Sequence, residues 1–146
     1  MSFIELSIPD PGFVGRANFG STIDLWDFAV RQANEACLVL DNSFTVVAAS
    51  PGCAGLLSVA VADAVGRRLL DVLRLLDFNT AGGRLPEWEL DKIPPLAAIS
   101  TGMLARGLLR VPGPDNVPAT VDAISVPLRD PDGVAGSLTF FAPVGR

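Results

Sequence analysis

Residues 37–51 read CLVLDNSFTVVAASP. Two short apolar runs, 37–40 and 44–49, flank the polar residues 41–43, and this pattern predicts a β-hairpin. The dipeptide Ser50-Pro51 follows the second run at once. Because serine is a good helix cap and proline is tolerated in a first turn, we expect a helix to begin here with Ser50 as its N-cap. Leu56 and Leu57 are its expected core contacts.

The sequence before the hairpin divides into an arm and a helix. Residues 1–21 form the predicted N-terminal arm, because Pro and Gly recur there too often for a long helix or strand. The hydroxyl of Ser21 or Thr22 is placed to cap a helix over 22–35, in which Asp24 and Asp27 favour the positive helix end. We assign 22–36 as an N-terminal flanking segment that takes part in dimerisation.

The sequence after the hairpin changes from helical to extended patterns. Leucines in 69–76 recur at helical spacing, and another helix is predicted from Pro94 or Pro95 to Thr101, closed by Gly102. Strands are predicted over 103–111, 117–128 and 134–141, with turns rich in Pro, Gly and Asp between them. This order predicts an α+β fold, an antiparallel sheet with helices packed on one face plus an N-terminal helix.

The order of elements and four short motifs resemble the PAS domain family. Residues 48–51 (AASP), followed by Leu56 and Leu57, resemble the family's strand-to-helix corner, with Ser50 where an asparagine usually stands. Residues 65–73 (VGRRLLDVL) resemble the family's Ile-Gly-Arg-x-Leu-x-Asp-Leu-Leu stretch. Residues 101–102 (TG) and 127–136 (PLRDPDGVAG) resemble the entry to the family's third strand and its last hairpin.

The resemblance covers about 37–141, and we assign 37–142 as a PAS-like domain. It implies a five-stranded antiparallel sheet whose concave face and helices enclose a pocket for a cofactor, a metabolite or only side chains. It also implies frequent dimerisation, often through a helix before the first strand. The implied function is a sensory or regulatory domain for small-molecule sensing or dimerisation in signal transduction or transcription control. An effector domain or a signalling partner protein is expected to supply the output.

The residue types that the sequence lacks narrow the cofactor chemistry. There is no histidine and no tyrosine, so a histidine-held haem and a chromophore tuned by a phenol are disfavoured. A flavin–thiol photocycle is disfavoured because no cysteine stands near Gly66-Arg67. The expected cofactor is none, or one that the sequence does not identify.

The same absences argue against an enzyme. Without histidine the chain has no Ser-His-Asp or Cys-His pair, and it has no nucleophile elbow, phosphate-binding loop or metal-spaced ligand cluster. We therefore expect no catalytic residues and no metal site. The alternative interpretation is a small α+β ligand-binding protein or enzyme that uses an apolar pocket.

Charge and hydropathy limit the expected partners and compartment. A formal charge of −5 leaves no broad basic surface, so direct nucleic-acid binding is not expected. The N-terminus lacks a signal-peptide pattern and no apolar run is long enough to span a membrane, which predicts a cytoplasmic protein. Cys37 and Cys53 lie in apolar stretches and are expected to be buried free thiols. Since 49% of residues are hydrophobic, some apolar surface is expected to meet a partner subunit.

The first candidate site is a dimer interface. In the predicted strand 103–111 the even positions mix leucine with arginine, which suits a sheet surface covered by an amphipathic helix. The helix over 22–35 is the candidate cover, from the same chain or from a second subunit, and we prefer a homodimer. The predicted interface residues are Trp26, Val30, Leu104, Arg106, Leu108 and Arg110.

The second candidate site is an apolar pocket between helices and sheet. Its predicted lining residues are Leu70, Phe78, Trp88 and Ile99. Such a pocket suits an apolar small molecule, such as a fatty acyl chain or an aromatic metabolite. An ordinary filled core also explains large residues at these positions, and we weigh it above the ligand pocket.

Overall fold

The computed structural model describes residues 21–78, 83–113, 115 and 117–144, so the predicted arm lies outside the described residues except for Ser21. Within these ranges the elements are α1 (Thr22–Arg31), β1 (Ala36–Asp41), β2 (Val46–Ala49), α2 (Gly52–Leu57), α3 (Val61–Ala64), α4 (Leu69–Val72), α5 (Glu87–Leu90), α6 (Pro94–Thr101), β3 (Ala105–Pro112), β4 (Pro118–Asp130) and β5 (Gly133–Pro143).

The strands form one antiparallel sheet in the order β2–β1–β5–β4–β3. The central strand β5 places Leu138 opposite Val39 of β1 on one side and opposite Val126 of β4 on the other. The two edge strands are β2 and β3. The predicted five-stranded sheet of an α+β fold is therefore confirmed, with strand ends that differ by a few residues from the predicted ones.

The inner face of the sheet carries the larger core. Side chains of alternate strand residues, such as Leu38, Val121 and Phe141, pack there against the helices α2, α4 and α6. Three buried polar residues lie on the same face. The Ser125 and Thr139 hydroxyls lie 2.5 Å apart, and the Ser137 hydroxyl donates to the Pro95 carbonyl at 2.9 Å. The polar groups of this core are thus paired, as burial requires.

Helix α1 lies on the outer face and packs mainly against β1 and β2. It begins as predicted, because the Ser21 hydroxyl accepts a hydrogen bond from the Asp24 N–H at 3.1 Å. Its Val30 side chain is 2% exposed among the outer-face residues of the sheet. The helix ends at Arg31, short of the predicted end at 35, because the chain must turn before it enters β1 at Ala36.

The predicted role of Ser50 as a helix cap is wrong. The cap position of α2 is Pro51, which offers no side-chain hydrogen bond. The Ser50 hydroxyl instead accepts from the Cys37 N–H at 2.9 Å and donates to the Glu35 carbonyl at 2.5 Å. The residue ties the end of β2 to the start of β1, and it is fully buried.

The predicted helix over 69–76 is also shorter in the structure. It ends at Val72, because Leu73 takes an extended conformation and the Leu76 N–H donates to the Arg110 carbonyl on β3. The predicted helix before β3 is confirmed as α6, closed by Gly102 at φ 70°. No helix among the described residues is long and apolar enough to cross a membrane.

We expect Ser50→Ala to lower the free energy of unfolding by about 1–3 kcal/mol, because it leaves the buried Cys37 N–H without its acceptor. Urea unfolding followed by circular dichroism measures this change. The matched control is Ser100→Ala on the exposed side of α6, where a change below about 0.5 kcal/mol is expected. Equal effects of the two substitutions would contradict the role given to Ser50.

Candidate functional site

A small cavity lies between the sheet and helices α2 to α4. Its lining is apolar and includes Leu38, Val46, Cys53 and Leu69, and its volume is about 10 Å³. Ligand pockets usually enclose about 300–1,000 Å³, so the side chains as they stand leave no room here for a haem or a flavin. The interior at this position is packed with side chains.

The structure does not bring the four predicted pocket residues together around one cavity. Leu70 and Ile99 are half-buried against the inner core. Phe78 is 46% exposed, and the Arg110 guanidinium lies 5.7 Å from the centroid of its ring. Trp88 is 69% exposed, because α5 buries none of its residues. Phe78 and Trp88 therefore lie on the surface instead of between helices and sheet.

The two cysteines are buried free thiols, as predicted, one in each core cluster. The Cys53 thiol donates to the Cys37 carbonyl at 3.2 Å. Burial raises the pKa of both thiols, that of Cys53 to about 11, so neither is a good nucleophile at neutral pH. Among the described residues, no three side chains of the metal-binding types come together.

The outer face of the sheet is only partly covered by α1. Trp26 and Val30 of this helix pack over β1, β2 and the adjacent part of β4 and β5. The part of the face formed by β3 and its neighbours is exposed. We call this surface the open patch. Its apolar residues are Leu104, Leu108, Ile124 and Phe140, which are 60%, 53%, 36% and 38% exposed, and it also contains the charged residues Arg106 and Asp122.

The strand register brings the members of the open patch side by side. Arg106 lies opposite Ile124, and Ile124 lies opposite Phe140 on the next strand. Leu108 lies opposite Asp122. The open patch is thus one contiguous surface across three strands.

One ion pair lies inside the open patch. The Arg106 guanidinium donates to both carboxylate oxygens of Asp122, at 3.2 and 2.7 Å. The hydrogen bond between the two side chains lowers the pKa of Asp122 and raises the pKa of Arg106. The patch therefore presents an adjacent cation and anion within an apolar surround.

The predicted dimer residues fall into two groups in the structure. Leu104, Arg106 and Leu108 are exposed in or beside the open patch, and Arg110 lies at its margin over Phe78. Trp26 and Val30 instead pack on the sheet of their own chain. Asp122, Ile124 and Phe140 also belong to the open patch, and sequence patterns did not identify them. Their alignment with β3 depends on the register of the strands, which local sequence patterns do not give.

Comparisons with known proteins identify the fold. No model of a protein family matches the sequence, and no curated protein matches it. A PAS domain of a protein from Colwellia psychrerythraea has a TM-score of 0.58 and 15% identity, over 80% of this chain and 92% of that chain. The Rhodobacter sphaeroides LOV protein has a TM-score of 0.62 and 16% identity, over 86% of this chain and 68% of that chain.

A third solved structure is the Vibrio cholerae VqmA dimer, with a TM-score of 0.58 and 18% identity. The chain has the PAS domain fold. The PAS resemblance that rests on residues 48–51, 65–73 and 127–136 is thereby confirmed at the level of fold. This chain covers 51% of the VqmA chain, so about half of that protein has no counterpart here.

The raised pKa of Cys53 predicts a loss of stability in alkali. Its pKa is about 11 in the fold against an ordinary value of 9.0, so between these values the unfolded chain releases a proton that the folded chain keeps. The free energy of unfolding then falls as pH rises, by at most about 1.4 kcal/mol per pH unit from this group. Urea unfolding from below pH 9.0 up to about pH 11 measures the slope.

The control for this pH dependence is Cys53→Ala, which removes the titrating thiol. Its unfolding free energy is expected to fall less steeply over the same range, whatever its stability at neutral pH. Cys37 also has a raised pKa, and both proteins retain it, so the difference between the two slopes reports Cys53. Parallel slopes for the two proteins would show that Cys53 does not contribute.

Proposed function

We propose that this chain is a sensory or regulatory PAS domain that acts in signal transduction or transcription control by pairing with a second copy of itself. The observation that carries the proposal is the open patch, where apolar side chains of three strands are exposed on one face. A contiguous exposed apolar surface on a small domain marks an interaction site.

The ion pair in the open patch favours a second copy as the partner. A two-fold interface uses the same surface twice, so that surface must complement itself. A surface with Arg106 beside Asp122 meets this condition, since each Arg106 can face the Asp122 of the other copy. Leu108 and Ile124 then pack around the exchanged charges. In this arrangement Trp26 and Val30 hold α1 in place, although they do not contact the second copy.

We assign the output of the domain to another protein segment. The similar VqmA is a dimer that has a target DNA, and this chain covers 51% of the VqmA chain. That ratio supports an effector outside this chain, and the formal charge of −5 gives no reason to place nucleic acid on the chain itself. We propose that the domain catalyses no reaction and that it acts in the cytoplasm.

A small-molecule signal is a separate part of the proposal. The inner cavity of about 10 Å³ would have to enlarge to admit an apolar ligand. Pairing through the open patch needs no such change, because its side chains are exposed already. Pairing is therefore the activity that the geometry supports best.

A charge exchange in the open patch tests the pairing. Arg106→Glu leaves two acidic side chains in the patch, and Asp122→Arg leaves two basic ones. Each variant alone is expected to self-associate at least about tenfold more weakly than the original chain, because like charges then face each other. An equimolar mixture of the two is expected to associate again, as a heterodimer.

Sedimentation velocity at tens of micromolar measures these states. Trp88→Glu is the matched control, because Trp88 is exposed but lies outside the open patch. It is expected to leave association unchanged. A monomeric original chain, or a mixture of the charge variants that stays monomeric, would contradict pairing with a second copy.

A further inference from the structure

The edge of β3 that faces away from β4 has backbone groups that no described residue pairs with. The Leu76 N–H donates to the Arg110 carbonyl at 2.8 Å, so that carbonyl points away from β4. On an antiparallel strand, alternate residues turn both backbone groups toward or away from the partner strand. The N–H and C=O groups of Arg106 and Leu108 therefore also point away from β4. A further strand could pair with them.

A groove of about 220 Å³ lies beside this edge. Leu109 belongs to the inner core, so Ala105 and Gly107, which also line the groove, are on the inner face of β3 as well. Gly107 leaves space in the groove, because a Cβ there would stand 3.5 Å from the Pro94 ring. The other apolar lining residues are Leu76, Phe78, Leu85, Ile93 and Leu108. The groove is thus suited to the aliphatic side chains of an added strand.

The chain has a segment with the pattern of such a strand, outside the described residues. Residues 3–8 read FIELSI, in which the even positions are all aliphatic and the odd positions are Phe, Glu and Ser. In an extended strand this alternation places the three aliphatic side chains on one face. The segment belongs to the longest run within 1–20 that is free of proline and glycine, and Pro9 ends that run.

This segment is tethered close to the start of β3. The Thr22 hydroxyl donates to the Arg129 carbonyl at 2.7 Å, and the Arg129 guanidinium donates to the Gly102 carbonyl. The first residues of α1 therefore lie within roughly the length of an arginine side chain from the residues that enter β3. Residues 9–20 span up to about 40 Å when extended, which is several times that gap. Residues 3–8 can thus reach the edge of β3 in the same chain.

We propose that residues 3–8 bind the open edge of β3 of their own chain as an added antiparallel strand. The antiparallel direction brings residue 8 next to the start of β3, where the tether begins, and so closes the shorter loop. An exposed strand edge invites pairing with other chains, and natural sheets often cover it. The N-terminal arm supplies that cover here.

The register of the added strand follows from the part of the edge that is already in use. Leu76 pairs with β3 at Arg110, so the added strand extends only as far as Leu108. Phe3 then lies opposite Leu108, and each following residue of the arm lies opposite the preceding residue of β3. The odd positions of the arm exchange backbone hydrogen bonds with β3.

In this register the aliphatic side chains enter the groove. Ile4 lies opposite Gly107 and Leu6 lies opposite Ala105, and directly opposite residues share one face of a sheet. Ile4 takes the space that Gly107 leaves beside the Pro94 ring. The odd positions of the arm lie on the outer face. The site does not rest on pairing through the open patch, because it uses backbone groups of β3 and the groove.

The tether favours this segment over a second copy of β3. Two β3 strands can pair with Arg106 opposite Arg106, since that pairing ends before Arg110. It sets two guanidinium groups directly opposite each other on one face, which is destabilising. A short flexible tether gives an effective concentration of about millimolar, well above the concentration of free copies in a micromolar sample.

Amide hydrogen exchange of the full isotope-labelled chain tests the added strand. Glu5→Pro removes the N–H that donates to the Arg106 carbonyl, and we expect the amides of Arg106 and Leu108 to exchange about tenfold or more faster than in the original chain. Ala17→Pro is the matched control in the tether, and exchange within about twofold of the original is expected. The Gly107 N–H faces β4 and is the internal reference.

A second pair of variants tests which face of the arm enters the groove. Leu6→Asp places a carboxylate in the apolar groove, so the amides of Arg106 and Leu108 should exchange as fast as in Glu5→Pro. Ser7→Asp places the same group on the outer face, and exchange within about twofold of the original chain is expected. Equal effects of the two aspartates would overturn the proposal.

A spin label separates the arm of the same chain from the arm of a second copy. It is attached at Ser2→Cys, since Cys37 and Cys53 are buried. Below the concentration at which copies associate, we expect the label to broaden the Leu108 amide signal of its own molecule. A mixture of isotope-labelled chains with separate spin-labelled chains should show no broadening. Broadening in the mixture would assign the edge to another copy and overturn the proposal.

Two further results would overturn the added strand. One is fast exchange of Arg106 and Leu108 in the original chain. The other is slow exchange that persists in Glu5→Pro, and a dependence on concentration would then point to two paired β3 strands. Either result with an intact heterodimer of the charge variants would overturn this site alone. Slow exchange that Glu5→Pro abolishes, in a chain that never associates, would support this site and overturn the pairing.

Discussion

A single buried hydroxyl joins the first two strands of the sheet, β1 and β2. Ser50 accepts from the Cys37 N–H and donates to the Glu35 carbonyl, and its own N–H donates to the Cys37 carbonyl. Each of these groups is costly to leave unpaired inside a protein. Because α2 begins two residues later, the same junction determines where Cys53 and Leu57 enter the inner core.

The two faces of the sheet differ in how they are covered. The inner face satisfies its polar groups internally, as in the pair Ser125 and Thr139, and leaves about 10 Å³ beside α2 to α4. The outer face is different, since α1 covers β1 and β2 and leaves Ile124 and Phe140 exposed. A rigid, well-packed sheet is a good platform for surface contacts, because its strands hold side chains at fixed spacing.

Sequence patterns predicted the strands of the sheet because the turns between them contain residues, such as Pro, Gly and Asp, that favour turns. The helix at Pro94 and its closure at Gly102 were predicted for the same reason, as was the cap at Ser21. Contacts between residues far apart in the sequence could not be predicted from these local patterns. Ser50 is a suitable cap by residue type, yet its hydroxyl bonds residues 13 and 15 positions earlier. The exposure of Ile124 and Phe140 depends on how far α1 reaches. Since β4 and β5 carry both apolar and polar residues on each face, alternation alone does not show it.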